Sequence, residues 1–192
     1  MAAASDARTA AAVEHAAAAG IAEATGADER AAVHAARRVA GARVVTLSRS
    51  GTVRQALALA DPEAVLVAES RPGREGVDVA ADIAGEIDVT LATDAALPHA
   101  IEEWGADAVL VGADAVRPDG SVVNKAGTRA GALAGTYEGI EVLAVTASDK
   151  VTPHDRTDLE QREPTEIYDG DTDLTVYNPT FDETPGDCLD AV

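Results

Sequence analysis

The sequence predicts an α/β protein in which a parallel, doubly wound sheet carries helices on both faces and a short helical segment precedes it. Three observations predict it. Short Val-rich apolar runs recur between residues 44 and 177 and alternate with stretches of helical pattern, the rhythm of βα units. Most of these runs show no polar alternation, which suits strands buried on both faces rather than one. Ahead of the first run lies alanine-rich sequence of strong helix propensity.

In chain order, Ser5 stands where a helix over residues 6–19 would be capped. A second helix is expected over 28–40, ending at Gly41, with Arg37 and Arg38 in its last turn, where positive charge offsets the helix dipole. Small side chains let this region cover a sheet face without a core of its own, so residues 1–40 read as a helical N-terminal segment and 41–192 as the α/β domain. Strands are expected near 44–47, 65–68, 89–91, 109–111, 142–145 and 175–177. Helices are expected near 52–60, 77–84, 94–104 and 128–138. Pro98 falls in the first turns of the third of these, where a helix tolerates it. Asp119-Gly120 makes a tight turn. Residues 151–173 are polar and contain Pro, and are expected to run irregularly over an edge or a partner subunit.

Composition excludes several functions. The chain carries 34 acidic residues against 15 basic, a formal charge of −19, which repels nucleic acid and anionic membranes. Acid excess with abundant Ala and few aromatics has the look of a salt-adapted, halophilic protein. Cys188 is the single cysteine, so neither a disulfide nor a cysteine-based metal site is expected. His15, His34, His99 and His154 form no short ligand pair, which disfavours a histidine metal centre. No apolar run approaches the roughly 20 residues of a membrane span, and the N-terminus lacks a signal pattern, so a cytoplasmic location is expected. Lysine occurs only at Lys125 and Lys150, which marks both as places where a compact point charge is wanted.

The first five expected strands each end in a small polar cluster: Ser48-Arg49-Ser50, Glu69-Ser70-Arg71, Thr93-Asp94, Asp114, and Ser148-Asp149-Lys150. A parallel sheet gathers all five on one rim, where open α/β sheets bind their ligands. Singly they have structural explanations, with Ser50 and Asp94 as helix N-caps and Arg71-Pro72-Gly73 as a turn. Together they favour a small anionic ligand. Residues 109–128 are central, because the strand delivers Asp114 and the loop after Asp119-Gly120 delivers Asn124 and Lys125. The next helix offers first-turn amides that favour an anion. An acid, an amide and a cation beside such amides suit a phosphorylated polyol. Arg49, Arg71, Lys125 and Lys150 are the candidate phosphate contacts, Asp114 and Asn124 would hold hydroxyls, and Ser48, Ser50 and Glu69 share the rim.

Gly112-Ala113-Asp114, the run from Asp119 to Lys125, Gly127-Thr128, Glu69-Ser70-Arg71-Pro72 and the run from Asn178 to Pro185 together resemble one family. It joins the alpha, beta and delta subunits of translation initiation factor 2B to isomerases acting on methylthioribose 1-phosphate and ribose 1,5-bisphosphate. The likeness spans residues 44–187. It implies a Rossmann-like domain behind helices, a homo-oligomer or an initiation factor partner, and a pocket for a small phosphorylated ligand, either a sugar phosphate or a nucleotide. No cofactor is expected, and composition already disfavours a metal site and direct contact with nucleic acid. In the family's isomerases a cysteine after the first strand and the Asp of Gly-Ala-Asp are the catalytic pair, and the Asn-Lys pair holds substrate. Asp114, Asn124 and Lys125 match, whereas the cysteine position is Ser48. A thiol with pKa near 8.5 exchanges protons far more readily than an alkyl hydroxyl. Family members also usually carry a larger N-terminal domain, so part of the pocket wall is expected to be missing. The resemblance therefore implies an initiation factor 2B-like regulatory or binding protein with a sugar-phosphate or nucleotide pocket. The alternative it implies is an aldose–ketose isomerase of a ribose phosphate, with Asp114 and Ser48 at the catalytic positions.

Overall fold

The computed structural model describes residues 10–154 and 158–192, apart from the side chains of residues 10, 11 and 21–25. The chain runs α1 (Ala10–Arg38), β1 (Arg43–Leu47), α2 (Gly51–Ala60), β2 (Ala64–Ala68), α3 (Glu75–Ile83), β3 (Val89–Ala92), α4 (Leu97–Glu103), β4 (Ala108–Gly112), β5 (Ala115–Val116), β6 (Val122–Lys125), α5 (Thr128–Glu138), β7 (Glu141–Val145) and β8 (Phe181–Thr184). Five strands form a parallel sheet in the order β3-β2-β1-β4-β7, and β5-β6-β8 form a small antiparallel sheet beside it.

The sheet is covered on both faces, as its uninterrupted apolar strands require. Side chains alternate along each strand, so Val44, Val65, Val67, Leu110 and Leu143 join one buried cluster with residues of α1, α2 and α3. Val45, Leu47, Leu66, Val109 and Val111 join the other with residues of α4 and α5. Among the described residues no helix is long and apolar enough to cross a membrane.

Three expectations are corrected. Residues 10–38 form one helix of 29 residues rather than two. Gly20 and Gly26 each weaken it by about 1 kcal/mol relative to Ala, but neither adopts a positive φ, and Ala32, Ala35, Ala36 and Val39 fasten the C-terminal half onto the core. Ser5 and residues 6–9 lie outside the described residues. Residues 175–177 do not form a strand, and Tyr177 is 72% exposed; the strand comes four residues later, as β8, where β6 offers an edge to pair with. Asn124 and Lys125 stand on strand β6 and not in a loop. The Asp119-Gly120 turn holds as a hairpin, with Gly120 at φ 80° and Ser121 N and Oγ donating to Asp119 Oδ1 at 3.0 and 2.7 Å.

A polar cleft at the switch point of the sheet

Strands β1 and β4 are neighbours, yet the chain leaves them in opposite directions, toward β2 and toward β7. A crevice opens where the strand order reverses in this way, and here it is a cleft of about 680 Å³ at the carboxyl ends of the strands. Ser48, Arg49, Ser50, Asp114, Asn124, Lys125 and Lys150 all line it. Glu69 and Arg71 are absent from its lining. The Glu69 carboxylate faces Arg74 at 3.9 Å, and Arg71 is exposed.

Local chemistry explains the placement. Ser50 caps α2, its Oγ accepting from Val53 N at 3.3 Å, so the helix begins at the cleft with its first amides lacking an upstream carbonyl. Gly112 makes the approach possible, because a Cβ there would stand 2.9 Å from Ser50 Oγ. Asp114 N donates to Val123 O at 2.8 Å, which fixes the backbone of Asp114 against the hairpin while the residue stays exposed. Thr146 Oγ1 donates to Ala113 O at 3.1 Å, tying the end of β7 to the same loop. Ser48 has φ 60°, and its amide donates to the buried Ser70 Oγ at 2.7 Å, which in turn donates to Ala68 O at 3.1 Å.

Two capping expectations change. Asp94 is not a helix cap: it opens a 3-10 turn over Asp94–Ala96 that Thr93 precedes as cap, and Ala96 stands at the cap of α4. The Asp94 carboxylate instead accepts from Ser70 N at 2.7 Å and Arg71 N at 2.5 Å, closing the loop after β2. The α5 amides do attract an anion, but it is the chain's own Asp182, which accepts from Gly127 N at 2.7 Å and Arg129 N at 3.2 Å. Burial pushes the Asp182 carboxyl up, against those two backbone hydrogen bonds.

Around the Asn-Lys pair the geometry is tight. Asn124 Nδ2 donates to Thr128 Oγ1 at 2.8 Å, and that hydroxyl donates to Lys125 O at 2.7 Å. Lys125 is only 5% exposed, and its Nζ lies 3.0 Å from Glu75 Oε1. Burial pushes the Glu75 carboxyl up, but hydrogen bonding at its own backbone amide and the Lys125 ammonium outweigh it and hold the group below the usual range. Nothing local in the sequence signals this pair, whose members are 50 positions apart. Asp28 and Glu29 of α1 also line the cleft and were likewise unmarked, whereas Thr180 and Phe181 of the lining belong to the Asn178–Pro185 run.

The segment from Asn178 to Pro185 lines the cleft with Thr180 and Phe181 and braces it. Asn178 Nδ2 donates to Glu163 O and Glu166 Oε2, each at 3.1 Å, and Glu166 pairs with Arg162 at 2.6 and 2.8 Å. The strand β8 that follows runs along β6 and carries Asp182 to the start of α5.

A model of the initiation factor 2 subunit family matches residues 2–192. A methylthioribose-1-phosphate isomerase of Xanthomonas oryzae pv. oryzae is 32% identical over 154 residues, which cover 74% of this chain and 44% of that protein. The chain thus spans less than half the length of this curated relative. Among solved structures, 5-methylthioribose 1-phosphate isomerase from Pyrococcus horikoshii OT3 superposes with a TM-score of 0.80 at 24% identity, over 93% of this chain and 56% of that one. The translation initiation factor eIF-2B of the same organism gives 0.74 at 29% identity, over 84% and 60%.

Proposed function

The chain belongs to the initiation factor 2 subunit family, and from that premise we propose that the cleft at the switch point binds a ribose phosphate or a nucleotide. One observation carries the reading: Arg49, Lys150 and the start of α2 share a single cleft with Asp114, Asn124 and Lys125. A phosphate suits the cations and the helix-end amides, and ribose hydroxyls suit an acid and an amide.

Two activities fit such a site. The names of the curated relatives support an aldose–ketose isomerase of a ribose phosphate, with Asp114 moving a proton between adjacent carbons. Ser48 supports the second, an initiation factor 2B-like subunit that binds its ligand without turning it over, because an alkyl hydroxyl is a poor general acid or base at neutral pH. Binding is common to both. Its test is a thermal-shift screen of the purified chain with ribose phosphates and nucleoside monophosphates. At 100 times its Kd a ligand stabilises by about 2.7 kcal/mol, and a screen in which none raises Tm overturns the reading.

A further inference from the structure

The two ends of the cleft differ in charge. Lys150 follows β7 and Glu75 opens α3 beyond β2, positions three strands apart in the order β2-β1-β4-β7, or about 14 Å at about 4.8 Å per strand. Among the described residues neither Arg49 nor Lys150 has a carboxylate partner, whereas Lys125 is paired with Glu75 at 3.0 Å. The second oxygen of that carboxylate, Glu75 Oε2, is buried without a hydrogen-bond partner among the described residues. The Lys150 end therefore offers an unpaired cation, Arg49 follows β1 between the two ends, and the α3 end offers a neutralised ammonium beside an acceptor that lacks a donor.

We propose that Glu75 sets the specificity of the cleft, admitting one phosphate at the Lys150 end, taking a hydroxyl at the Lys125 end, and refusing a second phosphate there. The inference rests on the ribose-phosphate reading above. A second phosphate would have to displace Glu75 from Lys125, which is only 5% exposed, and leave two anions side by side. A hydroxyl can donate to Oε2 and leave the ion pair intact, satisfying an acceptor that is otherwise buried unpaired.

Calorimetry with the wild-type chain, D-ribose 5-phosphate and D-ribose 1,5-bisphosphate at one ionic strength tests it. The monophosphate is expected to bind tighter by about tenfold or more. In Glu75→Gln the ammonium is released, so the bisphosphate gains about tenfold and the gap closes. In Glu75→Gln/Lys125→Met no cation is released, and the bisphosphate stays disfavoured; this variant also serves if the single one does not fold, since removing both members of a buried pair is often neutral. A bisphosphate that binds wild type as tightly as the monophosphate overturns the proposal. So does a folded Glu75→Gln with an unchanged ratio, or a bisphosphate gain in the double variant. If neither sugar binds wild type and the thermal-shift screen is also silent, the ribose-phosphate reading itself fails and takes this inference with it.

Discussion

Gly112 and Ser50 stand so close that a methyl group on Gly112 would lie 2.9 Å from the Ser50 hydroxyl oxygen and 3.0 Å from its Cβ. Gly112→Ala should therefore push the start of α2 away from β4 and destabilise the chain by about 1–3 kcal/mol, the usual range for an overpacked contact. Ser50→Gly loses only a helix cap, and the double variant should recover part of the Gly112→Ala loss. Urea denaturation checks this as a double-mutant cycle, with a coupling of at least about 0.5 kcal/mol expected for residues in contact.

Ligand affinity ranks the cations differently from the sequence. Scarcity of lysine marks Lys125 and Lys150 alike, but Glu75 already occupies Lys125. Arg49→Ala and Lys150→Ala should each weaken phosphate-ligand binding by about ten- to a hundredfold, the worth of one charged hydrogen bond. Calorimetry that finds both variants equal to wild type returns the phosphate to Lys125.

The contrast shows what a sequence can carry. Continuous β-branched runs marked all five parallel strands, and α5 spans Thr128–Glu138 where helix was expected over 128–138, because strand and helix periods are local properties. The rim carrying Ser48, Arg49, Asp114 and Lys150 follows from parallel order alone. What escaped was pairing at a distance. Glu75 meets Lys125 across 50 positions and Asp182 meets Gly127 across 55, and no local pattern names such partners. The run at residues 175–177 misled because three residues of strand propensity do not specify an edge to pair with.

Stability should fall on the acid side. The unfolded chain titrates Glu75 near the ordinary value of 4.5, and the folded chain titrates it lower. Between those values the unfolded state binds more protons, so unfolding is favoured as pH drops. Glu166, drawn down first by its hydrogen bond with Arg162, and Asp119, drawn down first by Ser121, act in the same direction. The urea midpoint should decline below about pH 5, with the raised Asp182 carboxyl opposing the fall. In Glu75→Gln the decline should be shallower, and identical slopes would remove Glu75 from this account.

Self-association is expected from the surface. Val151, Ile167, Leu174 and Tyr177 are between 53% and 72% exposed, all in the stretch between β7 and β8, whereas residues 181–184 are already covered by pairing with β6. Exposed apolar side chains gathered in one segment favour an interface over open solvent. Light scattering in molar salt should return a mass above 19.5 kDa, and Tyr177→Asp should lower it. A monomer mass for the wild-type chain at all concentrations would exclude the homo-oligomer.

Turnover should hinge on residue 48. Ser48 lies in the cleft with Asp114, but its hydroxyl cannot share proton transfers as a thiol of pKa near 8.5 can. Losing one general acid or base typically costs about 10² to 10⁴ in rate, so the wild-type chain should convert methylthioribose 1-phosphate very slowly or not at all. Ser48→Cys restores the missing group without moving the backbone, and is expected to raise kcat while leaving ligand affinity unchanged. Recovery should be partial, because the cleft is open to water, and a wet site screens the charges it uses. Asp114→Asn on the Ser48→Cys background should abolish the gain, since the thiol is expected to act together with the Asp114 carboxylate. Robust turnover by the Ser48 chain that Asp114→Asn removes would make the isomerase reading primary and leave the serine as a competent part of the site.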